Sequence, residues 1–428
     1  MKLTQILNAH HRSRWRKYQW RAKGWLVKKH SFAKQVLDEH NIPYESALEF
    51  VKEPKPVISF DYAHVFNPPQ LRKDANHPDF KPVPCFSFGD SNVLLEGLDQ
   101  AKLLTNTVEV NDDLPEKILK LKEENPVSDA VHKIVQKNLY SALVYDGAQE
   151  KLPIRKDPER PAYRFPRDYG ITDFRKNMLV SNKLLQLCES ISPLDISTRA
   201  VLNNARFQLT IEKDEDLVQF ALRGDKVLMA DSPLPSFLDN HQSASAIDLP
   251  NLYPLKPTIS MEKNHFYKRD DFFPLHPNAS HPHIHTALIH YNDTEVKNSY
   301  ATPVTDSQVM GRSLIKAFVM AAAQARYLYG DEVKDLPSPC TIQLVHTDAR
   351  MFHFCAFQLN TLDISSTHKV RNIFWQHPLI EIASRWGYEI GRPHLSGYNP
   401  HVFDLFCAFY RNAGRQSKPE AIQAEATA

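Results

Sequence analysis

The clearest hydrophobic pattern in the chain lies in residues 305–362. Apolar residues recur at helical spacing between Val309 and Tyr329, so one side of this segment is apolar and requires a covering surface. Before them, Thr305 and Gln308 have the spacing of a capping box, in which each side chain satisfies a backbone amide. The sequence therefore predicts a helix that begins at Thr305 and ends at Gly330.

Two segments with high strand propensity follow this helix. Residues 341–347 and 350–361 are rich in β-branched and aromatic side chains. Only Asp348 and Ala349 separate them, which is the length of a two-residue hairpin turn. The hairpin would supply the surface that the helix needs, so we expect the helix to pack on it.

Patterning elsewhere predicts more helices and a second hairpin. Helical periodicity recurs through residues 92–192, and the segments 205–211 and 217–224 read as two strands around a charged turn. A last helix begins with Asn399 as N-cap and ends at Gly414. We therefore predict an α+β fold, in which a mixed sheet with β-hairpins packs against amphipathic helices.

Changes in composition divide the chain into five predicted regions. Many prolines in residues 52–84 disfavour helices and central strands there, so we expect an extended segment. The regions are a basic aromatic N-terminal extension (1–40), a Pro-rich extended segment (41–91), a mainly helical region (92–192), an α+β body (193–414) and a disordered tail (415–428).

Length and composition restrict the class of protein. A chain of 428 residues with 42% hydrophobic residues can bury a sizeable core. No apolar run approaches the roughly 18 residues of a membrane span, so bilayer insertion is not expected. The five cysteines are dispersed without a Cys-x-x-Cys pair, which favours a reducing compartment and disfavours a thiolate zinc site.

The N-terminal segment is strongly basic although the whole chain has a net charge of only +2. Every charged residue before Asp38 is Lys or Arg, which is typical of a mitochondrial transit peptide. Arginines interleaved with tryptophans are also typical of an RNA-binding arm. The third interpretation of this segment is a solvated basic tail. The candidate RNA-contact residues here are Arg12, Arg14, Trp15, Arg16, Lys17, Trp20, Arg21 and Lys23.

A second segment, residues 155–176, mixes basic and aromatic side chains. An extended segment of this composition could bind along an RNA or protein surface, while a solvated loop fits the sequence at least as well. Its candidate RNA-contact residues are Arg164, Arg167 and Arg175.

Sequence motifs for catalysis or cofactor binding are weak. Glycine is scarce, at 12 residues against 30 prolines, and neither GxGxxG nor Gly-Lys-Ser/Thr occurs, so nucleotide binding by those motifs is disfavoured. Histidines cluster in residues 276–290, and in an extended strand His281, His283 and His285 would share one face and could bind zinc. Pro277 and Pro282 weaken this hypothesis because they interrupt regular strand pairing.

A metal triad is the stronger enzymatic hypothesis. His346 and Asp348 have the His-x-Asp spacing of non-haem iron oxygenases, and His394 or His401 could complete the triad. That chemistry needs a barrel of about eight strands, which the pattern does not predict. Asp348 also fits a simpler role, in which its carboxylate caps the hairpin turn.

Four sequence blocks resemble a family of ribosomal proteins. They are LLEGLDQAKLLTNT (94–107), LPEKIL (114–119), AQARYLYG (323–330) and TDARMFHFCAFQLNT (347–361). They are similar to the mitochondrial ribosomal large-subunit protein family numbered thirty-seven, which is related to the mitochondrial ribosomal protein numbered thirty. That family usually has glycine where Ala349 stands here, so alanine makes an ideal type I′ turn less favourable in this chain.

The resemblance implies a non-catalytic component of the mitochondrial large ribosomal subunit, located in the matrix as part of the mitoribosome. Such a protein would contact mitochondrial rRNA and other large-subunit proteins, including the related protein thirty, and would need no cofactor. Two alternatives remain at this stage. One is a non-haem iron oxygenase using His346 and Asp348, and the other is an RNA-binding assembly factor.

Overall fold

The structure is a computed structural model. It describes residues 32–43, 83–92, 94–110, 113–144, 150–151, 169–214, 216–238, 247–252, 262–266, 271–276, 278–290, 304–365, 367–389 and 392–414. The chain divides into two compact units, Met1–Arg72 and Lys73–Ala428. In the first unit, the described element is helix α1, Phe32–Glu39.

The second unit contains helices and strands in a mixed order. Its described α-helices are α2 (Gly97–Thr105), α3 (Glu116–Glu124), α4 (Asp129–Val144), α5 (Asp173–Ile191), α6 (Asp306–Tyr329) and α7 (Pro400–Arg411), with a 3-10 helix at Pro193–Thr198. Its described strands are β1 (Val83–Gly89), β2 (Thr107–Glu109), β3 (Glu150–Lys151), β4 (Tyr169–Gly170), β5 (Arg199–Lys213), β6 (Asp216–Ala230), β7 (Glu262–Phe266), β8 (His283–His290), β9 (Asp335–Thr347), β10 (Met351–Thr361), β11 (Asn372–Gln376), β12 (Ile380–Glu381), β13 (Ala383–Glu389) and β14 (Arg392–Tyr398).

In the described part of the chain, ten strands form one mixed sheet. Its main order is β2-β11-β10-β9-β8-β6-β1-β7, with β12 paired to β10 and β5 paired to β6. β5 covers one edge of β6, so β1 and β8 must share the opposite edge, because a strand has only two. β8 pairs parallel to β9, β1 to β6 and β2 to β11, whereas β1 pairs antiparallel to β7. The predicted α+β fold with a mixed sheet is therefore confirmed.

Helix α6 connects β8 to the parallel strand β9, so the centre of the fold is a β-α-β unit. The predicted capping box is present: the Thr305 hydroxyl accepts a hydrogen bond from the Gln308 amide at 3.3 Å, and the Gln308 side chain accepts one from the Thr305 amide at 3.1 Å. The helix ends at Gly330, which has a φ of 88°. Both predicted boundaries are confirmed.

α6 is buried on more sides than a single apolar stripe suggests. Residues 311–325 are all buried, and they include two cations, Arg312 and Lys316. Lys316 Nζ lies 2.8 Å from an Asp90 carboxylate oxygen, and Arg312 donates to the Asp90 carbonyl oxygen. Asp90 therefore compensates two buried charges that would otherwise be costly.

Both faces of the sheet are covered, so alternate residues of its strands enter different cores. In β10, Cys355, Phe357 and Leu359 pack with α2 and α6, whereas Phe352, Phe354 and Ala356 pack with α3, α4, α5 and α7. This alternation follows from the two-residue period of a strand. The sheet consequently lies between two layers of helix.

The predicted hairpin β9–β10 is present, but its turn is longer than expected. Thr347 pairs with Phe352. The two strands are separated by three residues, 348–350, where two were predicted. Ala349 adopts a φ of 75°, in the left-handed region that glycine enters most easily. The Asp348 carboxylate accepts hydrogen bonds from the amides of Arg350 and Met351 at 2.8 and 2.6 Å, which holds the turn.

The second predicted hairpin is also confirmed, because β5 and β6 pair antiparallel from Arg199–Ala230 to Lys213–Asp216. We predicted no strand in the His-rich segment, where β8 lies. β8 is buried on both faces from Ile284 to His290, so its sequence lacks the alternation of apolar and polar residues that marks a half-exposed strand. Within the described residues, no helix is both long and apolar enough to cross a membrane.

Candidate functional site

Most of the predicted RNA-contact residues lie outside the described residues. These are Arg12, Arg14, Trp15, Arg16, Lys17, Trp20, Arg21, Lys23, Arg164 and Arg167. The Pro-rich stretch 52–82 and the tail 415–428 also lie outside them. Arg175 is the one candidate that the structure describes.

Arg175 lies in the first turn of α5 with an exposed side chain. Its backbone amide donates to the hydroxyl of the N-cap Thr172 at 3.4 Å, which fixes the start of the helix. The next residue, Lys176, binds Asp173 at 3.2 Å and places its ammonium 5.1 Å from the ring centroid of Trp386. Arg175 is thus held at an ordered corner of the protein.

Trp386 joins three elements at this corner. It belongs to β13, carries Lys176 of α5 over its ring, and donates through Nε1 to the Leu139 carbonyl oxygen of α4 at 3.0 Å. Because α4 and α5 also pack directly on each other, their outer sides form neighbouring parts of the surface. The basic residues of α4 were missed at the sequence level, although Lys133, Lys137 and Tyr140 have the i, i+4, i+7 spacing of one helix face.

The histidines of residues 276–290 bind different partners. His285 Nε2 donates to the Asn412 carbonyl oxygen at 2.7 Å, and its Nδ1 lies 2.8 Å from the Thr286 hydroxyl. His290 Nε2 lies 2.9 Å from the Ser181 hydroxyl, whereas His281 Nδ1 lies 2.7 Å from that of Ser280. Among the described residues, no group of three or more His, Cys, Asp or Glu side chains could hold a metal ion.

The residues of the iron hypothesis also have separate roles. His346 is buried and its Nδ1 lies 2.9 Å from the Ser313 hydroxyl, while the Asp348 carboxylate caps the turn. His401 Nε2 lies 3.4 Å from His377 Nε2, and Lys122 lies 3.5 Å from the other nitrogen of His401. His394 belongs to the separate two-stranded sheet of β13 and β14. Each of these groups therefore contributes to local packing.

Ser313 and His353 form a contact that resembles a nucleophile and its base. The Glu109 carboxylate accepts from the Gln376 amide nitrogen at 2.6 Å, so the Gln376 oxygen faces His353 Nε2 at 3.0 Å and accepts from it. His353 Nδ1 then carries no proton and can accept from the Ser313 hydroxyl at 2.9 Å, in competition with the Val309 carbonyl oxygen at 3.0 Å. Burial lowers the pKa of His353 to about 4, which keeps the imidazole neutral near pH 7.

This contact is enclosed in the protein. Ser313 and His353 are both 0% exposed, so a substrate cannot reach the hydroxyl in this conformation. The chain of hydrogen bonds instead joins α6, β10, β11 and β2. A buried network with satisfied partners fixes the register of the strands that contribute to it.

Part of the chain is similar to a known family of ribosomal proteins. Residues 282–383 match the family model described as Mitochondrial 28S ribosomal protein S30 (PDCD9). The matched range contains β8, α6 and the β9–β10 hairpin, which form the centre of the sheet. The class that the match indicates is a mitochondrial ribosomal protein.

Relatives along a larger part of the chain are large ribosomal subunit proteins named mL37. The protein of Rattus norvegicus is 29% identical over 304 residues, covering 70% of this chain and 66% of the relative. That of Mus musculus is 28% identical over 341 residues (78% and 75%), and that of Bos taurus is 27% identical over 350 residues (78% and 76%). The aligned region thus spans about two thirds to three quarters of these relatives.

These findings confirm the resemblance that the four sequence blocks indicated. They support a structural, ribosomal role. The names of the relatives agree with the predicted large-subunit assignment, and the description of the matched family agrees with the predicted mitochondrial ribosomal class. The predicted mitochondrial location agrees with the same names.

Proposed function

We propose that this chain is a structural component of the mitochondrial large ribosomal subunit, where it binds rRNA and neighbouring ribosomal proteins and catalyses no reaction. The similarity to mL37 proteins over 70–78% of the chain carries this proposal. The protein would act in mitochondrial translation in the matrix. Its partners would be mitochondrial rRNA and other large-subunit proteins, including the related protein thirty.

The fold is suited to such a role. The sheet is covered by helices on both faces, and long-range hydrogen bonds such as the one from the Gln376 amide to the Glu109 carboxylate join distant parts of the chain. A rigid body of this kind can present basic side chains to rRNA without losing much conformational entropy on binding. The candidate residues Arg164, Arg167 and Arg175 would neutralise phosphates beside it.

Sedimentation of the endogenous protein after mitochondrial lysis tests the proposal. We expect it to migrate with the large subunit, and replacing all three arginines by glutamate should reduce this association. A matched control replaces three exposed cations elsewhere in the chain, Arg206, Lys334 and Lys369, by glutamate. Wild-type protein that remains at the top of the gradient would contradict the proposed function, whereas unchanged incorporation of the triple variant would contradict only the role of these arginines.

The same preparation separates the two alternatives. An assembly factor held mainly by phosphate contacts should dissociate early as the salt concentration rises, whereas an integral component should remain. Metal analysis addresses the oxygenase hypothesis, which requires stoichiometric iron that is lost in Asp348→Ala. If Asp348 only caps the turn, the same variant should lower stability without changing the metal content.

A further inference from the structure

Basic side chains predominate on the outer sides of α4 and α5. Asp129 and Asp173 are the first residues of these helices, and each lies where a negative charge favours a helix N-terminus. After them, the exposed charged side chains on the two helices are basic, namely Lys133, Lys137, Arg175 and Lys183, while the acidic Glu189 near the end of α5 is half-buried. Among the described residues, no ion pair involves Lys133, Lys137 or Lys183.

Exposed aromatic and apolar groups lie between these cations. Tyr140 and Met178 are each 38% exposed, and Ile134 is 45% exposed. Tyr140 follows Lys133 and Lys137 at helical spacing, so the three side chains lie along one side of α4. We name the set Lys133, Lys137, Tyr140, Arg175, Met178 and Lys183 the α4/α5 face.

The α4/α5 face is held rigidly from below. The inner sides of the two helices share one hydrophobic core. It contains Val135, Leu139 and Ala142 of α4 and Val180, Leu184 and Cys188 of α5. The hydrogen bond from Trp386 to Leu139 and the contact of Lys176 with Trp386 add a link between the helices. The relative positions of its cations are therefore set before a partner binds, which reduces the entropic cost of binding.

We infer that the α4/α5 face is an RNA-docking surface of the body, with the lysines and Arg175 at phosphates and Tyr140 stacked on an unpaired base. This inference rests on the proposed ribosomal function and names a binding surface for it. Lysine is depleted in protein–protein interfaces, whereas basic side chains with interspersed aromatics are typical of single-stranded RNA sites. The predicted arginines 164 and 167 also precede α5 closely in the sequence.

Salt dependence gives the charge contribution a measurable size. Each phosphate contact contributes about 0.7–0.9 to the slope of log affinity against log salt. Replacing Lys133, Lys137 and Lys183 by glutamine should therefore reduce the slope by about 2–3 if all three contact phosphates. Replacing Lys334, Lys369 and Arg206 by glutamine provides the control, because these exposed cations lie outside α4 and α5, in the loops before β9 and β11 and on β5.

Tyr140 tests the aromatic contribution separately. Loss of one base–aromatic stack weakens binding about 5- to 150-fold. Tyr140→Ala should show a loss in this range, whereas Tyr140→Phe should bind like wild type because it retains the ring. A purely structural role would instead lower the thermal midpoint of Tyr140→Ala, and this is measured in parallel.

The experiment measures binding of the full-length chain to large subunits from mitochondria depleted of the endogenous protein, followed by ultraviolet cross-linking and peptide mapping. We expect α4 and α5 peptides to carry nucleotides, and the triple-glutamine variant to dissociate at lower salt than wild type and control. Equal salt dependence of variant and wild type, or cross-links from these helices to protein in place of RNA, would overturn the inference. Failure of the wild type to bind the subunit at any salt would instead overturn the proposed function.

Discussion

Replacing Gly311 by alanine tests how tightly α2 is packed against α6. A Cβ atom on Gly311 would lie 2.5 Å from the Gly97 carbonyl oxygen, 2.7 Å from the Gly97 carbonyl carbon and 3.0 Å from the Leu98 nitrogen. All three are backbone atoms, so no side-chain rotation can relieve the overlap. The start of α2 must move away, which also strains the hydrogen bond from the Leu98 amide to the Ser307 hydroxyl at 3.1 Å.

The two energetic effects of this substitution have opposite signs. Overpacking costs about 1–3 kcal/mol and loss of the Leu98–Ser307 hydrogen bond about 1 kcal/mol. Alanine gains about 1 kcal/mol over glycine in helix propensity. We therefore expect the free energy of unfolding to fall by about 1–3 kcal/mol.

Urea unfolding followed by tryptophan fluorescence measures this change. Gly387→Ala is the control, because a Cβ atom at Gly387 has nothing within 4 Å, and its stability should stay within about 0.5 kcal/mol of wild type. The reasoning would be refuted if Gly311→Ala were as stable as wild type or more stable. Helix propensity would then outweigh packing at this crossing.

Three further predictions concern the buried polar groups. Ser313→Ala should lower the free energy of unfolding in urea by about 1–3 kcal/mol, because His353 loses a buried hydrogen bond. The control Ser190→Ala changes an exposed serine and should have little effect. Equal stabilities of the two variants would contradict this prediction. Burial lowers the pKa of His285 to about 3 from an ordinary 6.5, so its contribution to stability is full above pH 6.5 and is lost as pH falls toward 3. His285→Gln should therefore flatten the decline of the urea midpoint between pH 7 and 5, and an equally steep decline would refute that. Burial raises the pKa of Cys340 to about 12, so its thiol should react with a disulfide reagent such as DTNB only after unfolding; rapid labelling of the native protein would show otherwise.

Local sequence signals identified the centre of the fold well. The boundaries of α6 follow from Thr305, Gln308 and Gly330, because capping groups act on neighbouring backbone atoms. The two hairpins follow from alternating strands around short polar segments. These features depend on residues close in sequence, and therefore the pattern alone was sufficient.

Features that depend on distant residues were not predictable in the same way. β8 lies in a segment of histidines and prolines, and its pairing with β6 and β9 supplies the order that the local pattern lacks. The turn after β9 was expected to have two residues, but the Asp348 carboxylate and the left-handed Ala349 support a longer one. Tertiary packing thus decided the register where propensity was ambiguous.

The candidate RNA surface shows the same division. Runs of basic residues drew attention to Arg164, Arg167 and Arg175, whereas the isolated lysines at 133, 137 and 183 became a group only when α4 and α5 were seen side by side. Their spacing on each helix was visible, but whether a helix face is covered depends on its neighbours. Exposure, and not charge alone, identified the α4/α5 face.

The pairing of β1 and β2 has a consequence for biogenesis. Both strands are made early, yet β1 pairs with residues 217–221 of β6 and β2 with residues 372–374 of β11. A chain emerging from its N-terminus, during translation or across an organelle membrane, must keep these segments unpaired until residues far downstream have arrived. Such non-local closure is slow and exposes strand edges in the meantime, so we expect nascent or incompletely translocated chains to depend on chaperones.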